Sequence, residues 1–408
     1  MSRRPRLATL ILVAVMIVLA VPFTAFAKKK KVQPAPAPVK NWMEQLDLSK
    51  FVWPAPPGIT RIRYLNYFCC EKYEPPKEAK KKTSWMERLA GGETQAQKQA
   101  AHPMFALWTP YGMAVDSKGQ LYVADGKVGA VFIFNTETKD LHMIKNGRDA
   151  RFGLIMGLAM DDDDRLFVSD AVLHHVLVFD KDHKLQATIS EAMVDPCGLA
   201  LDTENRFLYV VDTGLDQVLV FDADSLRLLR RIGVTGKNHT LTGPGEFSKP
   251  TNAAVDQDGN LFVTDTLNNR IEEFDPDGEF IRAFGKAGDG IGYFARPKGI
   301  AIDADGDVWV VDAVNDRVQV YTPEGRLLMW MGGHGEMPGQ FQTLAGIAID
   351  KQNRVFTSEQ YPARVQMFRY FTNAEARTEL DRREAADKKQ EPQSSEQAKK
   401  QVPNTTWQ

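Results

Sequence analysis

Apolar and polar positions alternate through the middle of this chain in short runs broken by Asp, Asn and Gly, and one frame of that alternation returns six times. In each frame a small Ala is followed two residues on by Asp and three further on by Gly, Asn or Asp. A strand-like run then ends in Asp or Glu. That acid has an aromatic residue three places before it and another nine places after it. The frames are Ala114, Asp116, Gly119, Tyr122, Asp125, Phe134; Ala159, Asp161, Asp164, Phe167, Asp170, Phe179; and Ala200, Asp202, Asn205, Tyr209, Asp212, Phe221. The other three are Ala254, Asp256, Gly259, Phe262, Asp265, Phe274; Ala301, Asp303, Gly306, Trp309, Asp312, Tyr321; and Ala348, Asp350, Asn353, Phe356, Glu359, Phe368. The third frame has one extra residue before Asp212, which predicts a bulge.

Each position has a physical reason. The first Asp can accept a hydrogen bond from backbone two residues on, and the fourth turn position needs positive φ, which suits Gly, Asn and Asp. The Ala is expected on the first strand, where strands converge on an axis and a large side chain would not fit. The aromatics fill the space where adjacent sheets diverge. Four strands can be read in the fifth frame, at 299–302, 308–311, 318–321 and 326–331. The sixth frame stops at Phe371 after three, and Ile59 to Phe68, alternating as Ile62, Tyr64, Asn66 and Phe68, is expected to supply the missing outer strand. The fold expected is all-β: a six-bladed β-propeller over 58–372, closed by an N-terminal strand (59–68) in the last blade. A short helical insertion is expected within 69–108 on the channel-mouth face.

Pro297 to Asp303, followed by Asp312, Asn315, Arg317 and Val318, resembles the blade signature of the NHL-repeat family. The fourth frame matches through Asp265, Asn268, Arg270 and Ile271, with Asn252 where Gly is usual. Frames one to three carry Ala130, His175 and Gln217 in place of the Arg. Gly-rich stretches at 233–250, 285–297 and 332–341 are similar to the family's blade-to-blade loops. The resemblance implies the fold; propellers host binding, lyase and hydrolase sites alike.

The ends of the chain predict its address. Arg3, Arg4 and Arg6 precede an apolar run from Leu7 to about Phe26, and Ala25-Phe26-Ala27 offers a cleavage site, so 1–27 reads as an exported protein's signal peptide. The competing reading is an uncleaved inner-membrane anchor over 7–26, the only membrane contact expected. Residues 28–57 read as a basic, Pro-rich tether and 373–408 as a charged, disordered tail. With 51 basic and 53 acidic residues the charge is nearly balanced, which argues against a nucleic-acid surface. Cys69, Cys70 and Cys197 match no zinc or haem spacing and read as unpaired, with a bond from Cys197 to either neighbour as the alternative.

In a propeller the loops that lead into the innermost strand share a face with those joining strands two and three. The inner strands begin with Tyr111, Met156, Cys197, Thr251, Lys298 and Ala345, which are expected to ring the channel mouth. With Asn252 they are the candidate binding residues, and Asn269 and Asp316 are expected on the rim. Thr83 to Gly92 reads as a short capped helix with Trp85, Met86 and Leu89 on one side, expected to cover part of the mouth. Asp125, Asp170, Asp212, Asp265, Asp312 and Glu359 read as structural acids, because six-fold recurrence is what a fold requires and a catalytic site does not; the alternative is a carboxylate ring for a cation.

Two functions follow. One is a non-enzymatic binding or scaffold propeller in the periplasm or outside the cell, meeting an envelope or extracellular protein and admitting a small-molecule ligand, with no cofactor. The other is a metal-dependent lyase or lactonase acting on a small secreted metabolite. Zinc would want several His residues, and none of the six mouth positions is His. A harder divalent cation would want oxygen donors, of which Thr251 and Asn252 are the ones on offer.

Overall fold

The alternation of the sequence becomes six antiparallel sheets arranged round one axis. The structure, a computed structural model, describes residues 46–55, 57–71, 105–234, 243–382 and 385. Everything below lies in the unit Leu48–Gln408; of the preceding unit, Met1–Asp47, only the last two residues are described. The inner strands are Pro110–Val115, Ile155–Met160, Pro196–Asp202, Pro250–Val255, Pro297–Ile302 and Leu344–Ile349, and each adjoins the next with the sixth returning to the first. The fold class read from the repeat is the one observed.

The sixth sheet holds Leu344–Ile349, Arg354–Gln360 and Ala363–Tyr370, and Ile62–Phe68 pairs antiparallel to the last of these. Val52–Trp53 adds a fifth strand outside it, preceded by a single 3-10 turn at Leu48–Lys50. Residues 48–53, expected in the tether, are thus packed on the propeller. The tail also differs from expectation, since a helix runs from 373 to 382. Its signal is a capping box: the Thr372 hydroxyl accepts the Glu375 N–H at 3.4 Å while the Glu375 carboxylate accepts the Thr372 N–H at 3.0 Å. Buried Ala376 and an Arg63–Glu379 ion pair at 3.0 Å hold the helix to the sixth sheet. The expected signal run, the helix at Thr83 and the rest of the tail lie outside the described residues. Among those described, no helix is long and apolar enough to cross a membrane.

All twelve repeat aromatics are buried on the second and third strands, between neighbouring sheets. The convergence on the axis falls elsewhere than expected. A Cβ on Gly112, Gly157 or Gly346 would stand 2.2–2.3 Å from a backbone oxygen of the next blade. The strands therefore pinch together at glycine, two residues before the repeat Ala. The extra residue of the third frame is no bulge: strands two and three of that blade pair without a shift, and the residue lengthens the hairpin turn. Arg206, at φ 58°, takes the left-handed position that Gly119, Asp164, Gly259, Gly306 and Asn353 hold in the other blades.

Candidate functional site

The terminal acids lie at the same end of the propeller as the start of each inner strand, as in the pairs Pro110–Asp125 and Pro297–Asp312. All six are fully buried. In blades one to three each carboxylate is filled by backbone. Asp125 accepts the N–H groups of Trp108, Thr109, Lys127 and Val128 at 2.5–3.1 Å, Asp170 those of Gly153, Leu154, Val172 and Leu173, and Asp212 those of Val194, Asp195, Gly214 and Leu215. In blades four to six one backbone N–H remains and side chains take the other sites. Asp265 accepts from Asn268 and Arg270 at 2.7 and 2.8 Å, Asp312 from Asn315 and Arg317, and Glu359 from Arg364 and Gln366 at 2.6 Å each. Burial nevertheless raises Asp265 and Asp312 above the usual carboxylate range and pushes Glu359 up to about 7.

The Arg of the later blades has a further use. Arg270 donates to the carbonyls of Gly243 and Glu246, Arg317 to Asp289 and Gly290, and Arg364 to Glu336 and Gln340. Each clips to its own blade the Gly-rich loop leading in. The six acids are therefore occupied by the chain itself.

The mouth residues do come together, but they close the channel. Tyr111 from blade one crosses the axis, and its hydroxyl accepts a hydrogen bond from Asn252 Nδ2 of blade four at 3.1 Å. Tyr111, Cys197, Ala345 and Met156 form one apolar cluster across the opening. Thr251 Oγ1 meets the hydroxyls of Thr266 and Thr264 at 2.8 and 3.2 Å, and Asn252 also donates to the Lys298 carbonyl at 3.2 Å. Burial raises Tyr111 well above the usual phenol range, pushes Cys197 up to about 11 and lowers the Lys298 ammonium. Beneath this plug is a cavity of only about 40 Å³. Of the oxygen donors expected to serve a cation, Thr251 and Asn252 are engaged with their neighbours, and among the described residues no group of three or more His, Cys, Asp or Glu could hold a metal. The mouth does not fit a divalent-cation site.

The large cavity, about 340 Å³, occupies the other end of the axis. Its walls include Ala114, Leu158, Ala254, Ile300 and Ala348, and its rim Asp116, Asp161, Asp162, Asp164 and Asp350. The repeat Ala thus lines the wide end. The rim acids are also engaged: Asp161 binds Arg165 at 2.7 Å, Asp164 the Ser117 hydroxyl at 2.6 Å and Asp162 Lys351 at 3.0 Å.

Around the closed end stands a ring that sequence reasoning missed. Val172, Leu267, Val314 and Tyr361 each lie two residues after a terminal acid, in the loop joining strands two and three, and are 57, 49, 60 and 62% exposed. Trp108, at 63%, Leu154 and Val194 add apolar surface from the loops leading inward. At the opposite face, among the described residues, no turn within a blade exposes a large apolar side chain. The missed signal was an apolar residue at acid-plus-two, a turn position where polar residues are the rule. The expected rim residues lie in the loops joining strands two and three and also shape those turns. Asn269 and Asp316 have φ of 54° and 47°; Asn269 accepts the Arg296 N–H at 3.0 Å and Asp316 binds His334 at 2.7 Å.

Five four-stranded blades and one of five strands, pinched at glycine and plugged by an aromatic, define a six-bladed β-propeller. Comparison with known proteins agrees: residues 150–287 match the family model of the SMP-30/gluconolactonase/LRE-like region and residues 256–321 that of a 6-bladed beta-propeller. Peptidylglycine alpha-amidating monooxygenase of Rattus norvegicus is 32% identical over 123 residues, 28% of this chain; the chain spans only 12% of that protein. Two structures from Bacteroides thetaiotaomicron share the fold. A protein of unknown function has a TM-score of 0.53 at 17% identity, covering 65% of this chain and 71% of its own. An auxiliary nutrient binding protein has 0.51 at 11% identity, covering 65% and 69%.

Proposed function

We propose that the protein is an exported binding and scaffolding module of the cell envelope, which docks a partner protein on the closed face of its propeller. The observation that carries this reading is the ring of exposed Trp108, Val172, Leu267, Val314 and Tyr361 around a channel end already filled by Tyr111. Aromatic and aliphatic side chains held on short, hydrogen-bonded turns lose little entropy on binding and supply the buried centre that protein interfaces need. The basic and apolar N-terminal pattern supports export.

The test is quantitative capture by the full-length protein in its native cells, comparing wild type with the combined variant Val172→Ser, Leu267→Ser, Val314→Ser, Tyr361→Ser. A protein held by wild type and by the open-end variant Lys351→Ser, but reduced at least about tenfold by the ring variant, is the expected result. Equal recovery with all three would remove the docking reading.

The match to the SMP-30/gluconolactonase/LRE-like region favours a second reading, a lactonase or lyase acting on a small molecule. Lactone hydrolysis by the purified protein that is lost on adding chelator would establish it; no turnover with or without divalent ions would remove it.

A further inference from the structure

Cys69 and Cys70 follow directly on Ile62–Phe68, the fourth strand of the sixth sheet, where the chain departs toward blade one. Their backbone is fixed on both sides. The Leu107 N–H donates to the Cys69 carbonyl at 2.8 Å, the Glu71 N–H to the Phe105 carbonyl at 2.9 Å, and Cys70 forms an antiparallel bridge with Ala106. Neighbours in a regular strand send their side chains to opposite faces. Here both sulfurs lie on one side, 2.6 Å apart, close to the ~2.05 Å of a covalent bond between them. Both residues are partly accessible, whereas Cys197 is buried against the Tyr111 plug.

The surroundings divide the two thiols by role. The hydrogen bond from Cys69 holds the Cys70 thiol below its ordinary range, with help from the Lys139 ammonium. The same bond, together with burial, pushes Cys69 upward. Of the two, Cys70 has the greater thiolate character and is the better placed to attack, with Cys69 beside it to resolve.

We propose that Cys69 and Cys70 form a redox-active dithiol that an external disulfide converts into a disulfide between the two neighbours. The Cys70 thiolate attacks one sulfur of the external disulfide, forming a mixed disulfide and releasing the other sulfur, which takes up a proton. Cys69 then loses its proton and attacks the Cys70 sulfur, displacing the second external thiol. Two electrons leave the pair, and the external disulfide is reduced to two thiols.

The experiment uses the full chain, reduced and then exposed to excess oxidised glutathione at neutral pH, with free thiols blocked by a maleimide before and after unfolding and the peptides weighed. The expected result is a peptide spanning both cysteines that is lighter by two hydrogens and carries neither label, with Cys197 labelled only on unfolding. Cys69→Ser should stop at a glutathione adduct on Cys70, and Cys70→Ser should react about tenfold more slowly than wild type. Circular dichroism confirms that each variant is folded. Two glutathiones on one peptide, two maleimides after oxidation, or a bond from either cysteine to Cys197 would each overturn the proposal.

Discussion

The two ends of the axial channel are built from the same six strands yet differ in every property that bears on recognition. At one end the strands approach so closely that only glycine fits between most of them, Tyr111 fills the remaining space, and large apolar side chains face outward around it. At the other end the repeat Ala and its aliphatic neighbours stand round about 340 Å³ of open cavity, under turns that carry Asp rather than apolar residues. A propeller channel is thus a tapered space, and whichever end the taper closes becomes available as a surface. The closed end suits a macromolecular partner and the open end resembles a small-molecule cleft, although two of its rim carboxylates, Asp161 and Asp162, are in ion pairs.

The closed end is most sensitive at Tyr111. Tyr111→Ala should destabilise the fold by about 4 kcal/mol in denaturant titration, because it empties a buried site and leaves Asn252 without one acceptor. Tyr111→Phe should lose only about 1 kcal/mol. A similar cost for the two would mean that the hydroxyl, and not the ring, holds the end closed.

Next in size is the glycine pinch. Gly346→Ala places a Cβ 2.2 Å from the Tyr111 carbonyl and should cost about 3 kcal/mol. At the open end Gly306→Ala meets no atom within 4 Å and suffers only its φ of 83°, so about 1 kcal/mol is expected. Equal costs would erase the taper. The ring variant at Val172, Leu267, Val314 and Tyr361 should change stability by no more than about 0.5 kcal/mol per site, since these side chains pack against little.

The smallest effect is electrostatic and belongs to the open end. Burial, then the neighbouring Asp303 and Asp305, push Asp307 up to about 6 from its ordinary 3.8. Between those values the native state holds more proton than the unfolded chain, so Asp307 makes stability fall as pH rises from about 4 to 6. Asp307→Asn should flatten that part of the pH–stability curve and raise stability at pH 7 slightly. An unchanged slope would show that Asp307 is not held in its protonated form.

The fold was legible because the repeat states its own constraints: an Asp that organises a turn, an acid that gathers loop N–H groups, and aromatics that fill the divergence between sheets. What the repeat left open was which face each constraint serves. Tyr111 and Asn252 stand 141 residues apart, and nothing in either frame announces that one side chain spans the axis to meet the other. Asn269 and Asp316 carry polar side chains at matching loop positions, and their positive φ adds a role in the turn that the repeat alone does not state. Val314 is a lone apolar residue in its turn, and its position carries a pattern only when set beside Val172, Leu267 and Tyr361. The helix after Thr372 was hidden by its charged composition, although its Thr-x-x-Glu cap could have been read.

The most direct test of the closed face as the docking surface is site-specific photo-crosslinking in native cells. A photoreactive residue is placed at 314 or 361 on the ring and, in separate proteins, at 258 or 352 in the open-end turns. Docking on the closed face predicts one common protein adduct from both ring positions and none from the open-end pair. The same adduct from both faces, or adducts from the open end alone, would contradict it.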